Sequence, residues 1–322
     1  MQWWSILLIV ALCLIGVALA IVLGGYILFD QVIRRKPFRE KPPKPGLFEN
    51  KLMGDPDRTF RFYAENGARL KALPHREVDV TTEDGLKLKG YFFAAETPSA
   101  RTVICNHGYT SQAFGECASL ILHLLKNGYN ALAVSHRAHH PSEGKYIGFG
   151  ILDSRDALRW IEAVEGLVPG GTVALYGVSM GAATVMMTVG RKDLPACVRC
   201  AVEDCGYSSP QEEFRYQMKH LFHLPHIPLL PVANFFCRRL AGYRFDQLDS
   251  VACVAESEVP VMFIHGDADA FVPHQMTLRA YEACNAPKEL YLVKGAPHAA
   301  SCVWEPETYV SRVTAFLDRY MG

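Results

Sequence analysis

The chain has 322 residues, half of them hydrophobic, and its 33 basic and 33 acidic side chains give a formal net charge of zero. This length suits one α/β enzyme domain with a small insertion, and the balanced charge argues against a nucleic-acid partner. The ten cysteines have no regular spacing, which favours reduced thiols over a disulfide framework. Cys197 and Cys200 form a C-x-x-C pair without a second pair at zinc-ribbon spacing, so no metal site is predicted there.

The first segment, 1–30, is predicted to be a membrane anchor. Residues 3–29 contain no charged side chain, and this run exceeds the ~20 apolar residues that a membrane-spanning helix needs. A secretory signal peptide is the alternative, because Ala18-Leu19-Ala20 has the small residues of a cleavage site. No Lys or Arg precedes the apolar run, however, and the run continues past Ala20, so an uncleaved single-pass helix is favoured.

The second segment, 31–46, is predicted to be a basic, proline-rich tether. Its prolines favour an extended spacer over folded structure. Because its basic side chains follow the apolar run directly, the positive-inside rule predicts that the next domain faces the cytoplasm. The basic residues are Arg34, Arg35, Lys36, Arg39, Lys41 and Lys44, and the prolines are Pro37, Pro42, Pro43 and Pro45.

The third segment, 47–322, is predicted to be one domain built on a mostly parallel, doubly wound α/β sheet. Alternating residues predict a β-hairpin over 77–81 and 86–93, which forms an antiparallel edge. Further strands are predicted over 102–105, 130–134, 172–176, 198–202, 261–264 and 290–293, with helices over 114–126, about 151–165 and 309–320. Ligands of such sheets bind beyond the carboxyl ends of the strands.

A serine stands at the end of the strand predicted over 172–176, in Gly177-Val178-Ser179-Met180-Gly181. A small-residue helix follows it, so the local order is strand, sharp turn, helix. Such a turn strains the serine backbone and needs neighbours without bulk, which Gly177 and Gly181 supply. The pattern predicts a nucleophile elbow with Ser179 as the nucleophile.

An insertion over about 208–247 separates two predicted strands and is longer than the usual crossover. It is strongly apolar and is interrupted by Pro225, Pro228 and Pro231. Two interpretations remain open, because its apolar side chains either line a site for a hydrophobic substrate group or only pack the insertion onto the domain.

A serine nucleophile needs a base, and an acid to orient that base. Behind a nucleophile elbow the order along the chain is serine, acid, histidine. Asp269 follows the strand over 261–264, and His298 follows the last strand, so both are predicted to reach the edge that carries Ser179. Asp267 and, more remotely, Asp204 compete for the role of the acid. The oxyanion hole is assigned to the backbone N–H groups of Met180 and Tyr109.

The chain resembles the α/β-hydrolase superfamily, in the branch of monoacylglycerol lipase-like and serine aminopeptidase-like proteins that includes bacterial membrane-anchored members. The resemblance covers about 77–322, and in that branch the acid corresponds to Asp269 and not to Asp267. It also implies that the insertion is a cap over the elbow. It rests on Asn106-His107-Gly108-Tyr109, the Ser179 elbow, His265-Gly266-Asp267-Ala268-Asp269 with Val272-Pro273, and Ala296-Pro297-His298.

One loop departs from that branch. Where the branch reads Asp-x-Arg-Gly-His-Gly, this chain reads Ser135-His136-Arg137-Ala138-His139-His140. The extra histidines are expected near the rim of the pocket, and without suitable carboxylates nearby they are not expected to bind a metal.

The function predicted from the sequence is a membrane-anchored serine hydrolase that cleaves lipid-like or amphiphilic acyl esters without a cofactor. Its partners are a hydrophobic small-molecule acyl substrate and the membrane. Amidase or peptidase activity is the first alternative, because the same triad serves both reactions. A membrane-tethered binding protein that keeps the fold without turnover is the second.

Overall fold

The computed structural model describes residues 3–37 and 55–322. Most of the predicted tether, 38–46, and the start of the predicted domain, 47–54, lie outside the described residues. The first residues of the predicted tether continue the first helix, which ends at Ile33.

Eight strands form one sheet in the order β1-β2-β4-β3-β5-β6-β7-β8. Strand β2 pairs antiparallel with both β1 and β4, and all the other pairs are parallel. The mostly parallel sheet with an antiparallel N-terminal hairpin is therefore confirmed. The strands are β1 Arg76–Thr81, β2 Lys87–Phe93, β3 Arg101–Asn106, β4 Asn130–Val134, β5 Thr172–Val178, β6 Val198–Asp204, β7 Val261–Gly266 and β8 Lys288–Val293.

Helices cover both faces of the sheet, because its strands are apolar on both sides. The helices are α1 Trp3–Ile33, α2 Pro56–Lys71, α3 Ala118–Lys126, α4 Asp153–Leu167, α5 Met180–Val189, α6 Pro210–His220, α7 Leu229–Phe236, α8 Ser250–Ala255, α9 Gln275–Ala283, α10 Ser301–Trp304 and α11 Pro306–Met321. Helix α3 begins at Ala118 rather than at the predicted position 114. The difference arises because Phe114 lies in the preceding turns, where its ring packs against Tyr91 at 4.6 Å.

The insertion forms a small helical cap, which consists of α6, α7 and a π-helical turn over Cys237–Ala241. A third apolar cluster joins this cap to the elbow side of the domain, since it contains Phe214 and Leu230 of the cap together with Met180. The same cluster contains Phe29 and Ile33 of α1.

Helix α1 is apolar and long enough to cross a membrane, although a signal sequence near an N-terminus passes the same test of length and composition. Its first two thirds are exposed to the surroundings, and Gly25, Phe29 and Ile33 near its end are buried. The end of α1 therefore packs against the folded domain.

Candidate active site

Ser179 lies at the apex of a sharp turn between β5 and α5. Its φ of 56° and ψ of −113° are strained for a residue with a side chain. The turn closes only because its flanks are glycines: a Cβ on Gly177 would lie 2.2 Å from the Gly181 carbonyl oxygen, and a Cβ on Gly181 would lie 2.1 Å from that of Asn106. The strand–turn–helix geometry predicted for the elbow is thus present.

The three residues predicted as a triad meet at the carboxyl edge of the sheet. Ser179 Oγ lies 2.9 Å from His298 Nε2, and His298 Nδ1 lies 2.7 Å from Asp269 Oδ2. With the proton on Nδ1, the imidazole donates to the carboxylate and its Nε2 accepts from the serine hydroxyl. This arrangement is the one that general-base activation of a serine requires.

Asp269 is buried and accepts hydrogen bonds on both oxygens. Its Oδ1 accepts from the N–H groups of Phe271 at 2.8 Å and Val272 at 2.9 Å, while its Oδ2 faces His265 Nε2 at 3.1 Å as well as His298. Burial alone would raise the pKa of Asp269, but the His298 charge and the hydrogen bonds from both histidines hold that pKa well below its ordinary value. The carboxylate is therefore charged throughout the neutral range.

His265 is a supporting residue to which the sequence reasoning gave no role. It lies at the end of β7, where its Nδ1 contacts Thr277 Oγ1 at 2.7 Å and its Nε2 faces both Asp269 and the Val272 carbonyl oxygen. The signal was present, since a histidine four residues before the acid lies on the same strand end. It gives Asp269 Oδ2 a second histidine partner beside His298.

The pKa of His298 is raised above its ordinary value. Burial lowers it, but the Asp269 charge and hydrogen bond, with smaller contributions from Glu213 and Asp204, outweigh that effect. The ring of Phe271 packs against the imidazole with 4.9 Å between centroids. Asp269 is thus placed to stabilise a protonated imidazole at His298.

The two competing aspartates have other partners. Asp267 accepts from the Gly295 N–H at 2.6 Å, which connects the two loops that carry Asp269 and His298. Asp204 accepts from Ser301 Oγ at 2.9 Å and from the Tyr309 hydroxyl at 2.8 Å. Only Asp269, of the three, hydrogen-bonds to His298 among the described residues.

The predicted oxyanion donors flank Ser179. Met180 is the first residue of α5, so its N–H is one of the helix N–H groups without an intrahelical acceptor. The loop after β3 approaches from the other side, because a Cβ on Gly108 would lie 3.5 Å from Ser179 Cβ. Within that loop the Gly108 N–H donates to Glu116 and the Thr110 N–H donates to His139. The Tyr109 N–H thus lies in the chain between two N–H groups that already have acceptors.

Two histidines of the unusual loop, His136 and His139, are buried and do not lie at the rim of the site, whereas His140 is exposed. His107 Nε2 accepts from the His136 N–H at 3.2 Å, and His139 Nε2 accepts from the Thr110 N–H at 3.2 Å. Burial, followed by the proximity of His136, lowers the pKa of His139 to about 4, so it is neutral at pH 7. His107 and His139 therefore act as neutral acceptors that join the loop after β4 to the loop after β3.

Cys205, Asp269 and His298 lie close enough together to raise the question of a metal site among the described residues. Burial, followed by the neighbouring Asp204 charge, holds the pKa of the Cys205 thiol well above its ordinary value. Metals bind the thiolate, which burial disfavours here, while Asp269 and His298 already satisfy each other. The donor set fits an acid–base pair better than a metal centre.

A nucleophile elbow at the carboxyl edge of a mostly parallel sheet, with acid and histidine after later strands, defines an α/β-hydrolase. No protein-family model matches the chain. The uncharacterized protein YqkD of Bacillus subtilis is 32% identical over 239 residues, which cover 73% of this chain and 76% of YqkD. The chain belongs to the family of YqkD.

Solved structures agree with this fold. The Pyrococcus furiosus esterase Pf2001 superposes with a TM-score of 0.63 at 26% identity, over 89% of this chain and 99% of the esterase. The acylaminoacyl peptidase of Pyrococcus horikoshii superposes with a TM-score of 0.56 at 19% identity, over 80% of this chain and 43% of the peptidase. The α/β-hydrolase fold predicted from the motifs is confirmed.

Proposed function

We propose that the protein is a serine ester hydrolase in which Ser179, His298 and Asp269 form the catalytic triad. The observation that carries the proposal is the unbroken relay of hydrogen bonds, 2.9 Å from Ser179 to His298 and 2.7 Å from His298 to Asp269. The likeness to the Pyrococcus furiosus esterase at 26% identity supports an ester as the substrate.

The reaction follows from this geometry. Ser179 Oγ bonds to the acyl carbon while its proton moves to His298 Nε2, and the carbonyl electron pair becomes an oxyanion held by the Met180 and Tyr109 N–H groups. Collapse of this intermediate breaks the ester C–O bond, and the leaving alkoxide takes the proton from His298. Water then attacks the acyl-enzyme by the same route, which releases the acid and restores the Ser179 hydroxyl.

The substrate class we propose is a lipid-like or amphiphilic carboxylic ester. The cap above the elbow is apolar, and it keeps Ile227 65% and Phe235 59% exposed. Isolated exposed apolar side chains are ordinary, but here they lie on the segment that packs against the long apolar helix α1. A hydrophobic substrate and a nearby membrane surface together account for this cap.

Helix α1 is proposed to be a single-pass membrane anchor, with the catalytic domain on the cytoplasmic side. The support is the 31-residue apolar helix and the basic residues that follow it. A reporter fused after Gly322 and probed in intact cells tests the orientation. Labelling of that reporter by a membrane-impermeant reagent without permeabilisation would contradict it.

A fluorophosphonate probe tests the proposed nucleophile, because it reacts only with an activated serine. The wild type should be labelled, and Ser179→Ala should lose both labelling and ester hydrolysis. Ser99→Ala is a matched control, since the Ser99 hydroxyl donates to the Gly128 carbonyl oxygen and touches no triad residue. Labelling of Ser179→Ala at the wild-type rate would reject the assignment, and absence of labelling in the folded wild type would favour the non-catalytic alternative.

A further inference from the structure

We infer that the end of α1 is a wall of the acyl-chain site, so that the proposed anchor takes part in substrate selection. The inference rests on the proposed function, because it assigns the binding place of the acyl chain of that ester. It begins from an apolar groove that the anchor helix and the cap form together.

The end of α1 is built into the domain by direct backbone packing. A Cβ on Gly25 would lie 2.5 Å from Val232 Cβ, so only glycine allows α1 and α7 to approach this closely. The Tyr26 ring meets Phe236 edge-on at 5.1 Å. Two helices this close behave as one packed unit and not as a domain on a loose tether.

Hydrogen bonds fix the same end of α1 to the active-site loops. The Tyr109 hydroxyl donates to the Val32 carbonyl oxygen at 3.0 Å, and Tyr109 also carries a proposed oxyanion N–H. The Ile147 N–H donates to the Ile33 carbonyl oxygen at 2.8 Å. Arg35 continues the contact, because its Nη1 donates to the Ser142 carbonyl oxygen at 2.7 Å.

An apolar groove lies between α1 and the cap. One wall comes from α1, and the facing walls come from α6, α7 and the segment after the π-helical turn. Hydrocarbon side chains dominate the lining, so the groove offers burial and few hydrogen bonds, which is what an acyl chain requires. Its principal lining residues are Leu28, Val32, Phe214, Met218, Leu230 and Phe245.

A row of aromatic rings connects the oxyanion loop to this groove. The Tyr109 ring lies 5.2 Å from Phe149, Phe149 lies 4.9 Å from Phe214, and Phe214 lies 4.8 Å from Phe245. Under the inference, the acyl chain carried on Ser179 Oγ runs along this row of rings toward Val32. Two ring contacts separate Tyr109 from the groove, so a long chain reaches α1 and an acetyl group does not.

The test compares p-nitrophenyl laurate with p-nitrophenyl acetate, using the full-length protein in lipid nanodiscs. Val32→Trp fills the groove and should lower the laurate-to-acetate ratio of kcat/KM at least tenfold. Ile27→Trp is the matched control, because Ile27 lies on the same helix, is 50% exposed and does not line the groove. Its ratio should stay within twofold of the wild type.

Val32→Ala provides an independent arm that adds no bulk. It widens the groove and should shift the preference toward longer or branched acyl chains, with a larger change in KM than in kcat. Unchanged ratios in both Val32 variants, or equal changes in Val32→Trp and Ile27→Trp, would overturn the inference. If the wild type hydrolyses the acetate ester and the Val32 variants leave the laurate-to-acetate ratio unchanged, only the groove is refuted. If the folded wild type is inactive on both esters, the proposed function itself is refuted.

Discussion

Replacement of Asp269 by asparagine gives the sharpest test of the proposed triad. The carboxylate accepts from His298 Nδ1 at 2.7 Å and from the N–H groups of Phe271 and Val272. In Asp269→Asn the amide oxygen can keep both backbone donors, so its NH₂ group faces His298. The imidazole must then present a lone pair on Nδ1 and carry its proton on Nε2, where it can no longer accept from Ser179.

The loss expected from this tautomer change is about 10⁴-fold in kcat, which corresponds to ~5 kcal/mol of transition-state stabilisation. The fold should persist, because His265 Nε2 retains the Val272 carbonyl oxygen at 2.9 Å as a partner. The assay is kcat on a short-chain ester and the rate of fluorophosphonate labelling, with thermal unfolding measured on the same samples.

Asp267→Asn is the control for this experiment, because it makes the same carboxylate-to-amide change in the same loop. Its side-chain oxygen can still accept from the Gly295 N–H, so activity should remain within threefold of the wild type. A large loss in Asp267→Asn together with near-normal activity in Asp269→Asn would refute the assignment of the acid.

Three further predictions concern the support of the site. Gly181→Ala places a methyl group against the backbone of Asn106 and should lower the free energy of unfolding, measured by urea denaturation, by about 3 kcal/mol. Gly166→Ala is the control, because a Cβ there meets no other atom, and its free energy of unfolding should stay within ~1 kcal/mol of the wild type. The pKa of His139 is about 4 in the folded protein and ~6.5 in the unfolded chain. As the pH falls, the unfolded chain therefore binds this proton first. The stability that depends on neutral His139 is lost as the pH drops from ~6.5 toward 4. His139→Gln should therefore lose ~2 kcal/mol less than the wild type between pH 7 and pH 5; an equal loss would contradict this. Tyr63→Phe removes a hydroxyl that donates to the Ala299 carbonyl oxygen, next to His298 in the chain. The free energy of unfolding should therefore fall by ~1 kcal/mol, and kcat should fall as well. Unchanged values of both would show that α2 does not support the loop that carries His298.

The strands and the meeting of Ser179, Asp269 and His298 were predictable because both depend on local signals. Alternation and apolar runs mark the strands, and in a parallel sheet the residues that follow strands meet at one edge. Ser179, Asp269 and His298 each follow a strand, so their meeting needed no knowledge of side-chain packing. Strand bounds differ by only a few residues from those observed.

Features that depend on tertiary packing were not predictable in this way. His139 reads as an exposed loop histidine in the sequence, yet it is buried with its Nε2 bonded to Thr110, 29 positions away. The pairing of α1 with α7 likewise depends on Gly25 facing Val232, two positions far apart in the chain. No local pattern marks either contact.

Helix α1 runs without a break from its exposed apolar part into the part that packs on the cap. Each helical residue adds 1.5 Å along the axis, so the number of residues ahead of Gly25 sets how far the cap stands from the opposite membrane face. Under the proposed anchoring, the length of α1 therefore determines the position of the cap relative to the bilayer. A thicker bilayer would draw Ile227 and Phe235 toward the lipid headgroups, so bilayer thickness would itself regulate how readily a lipid ester enters the site.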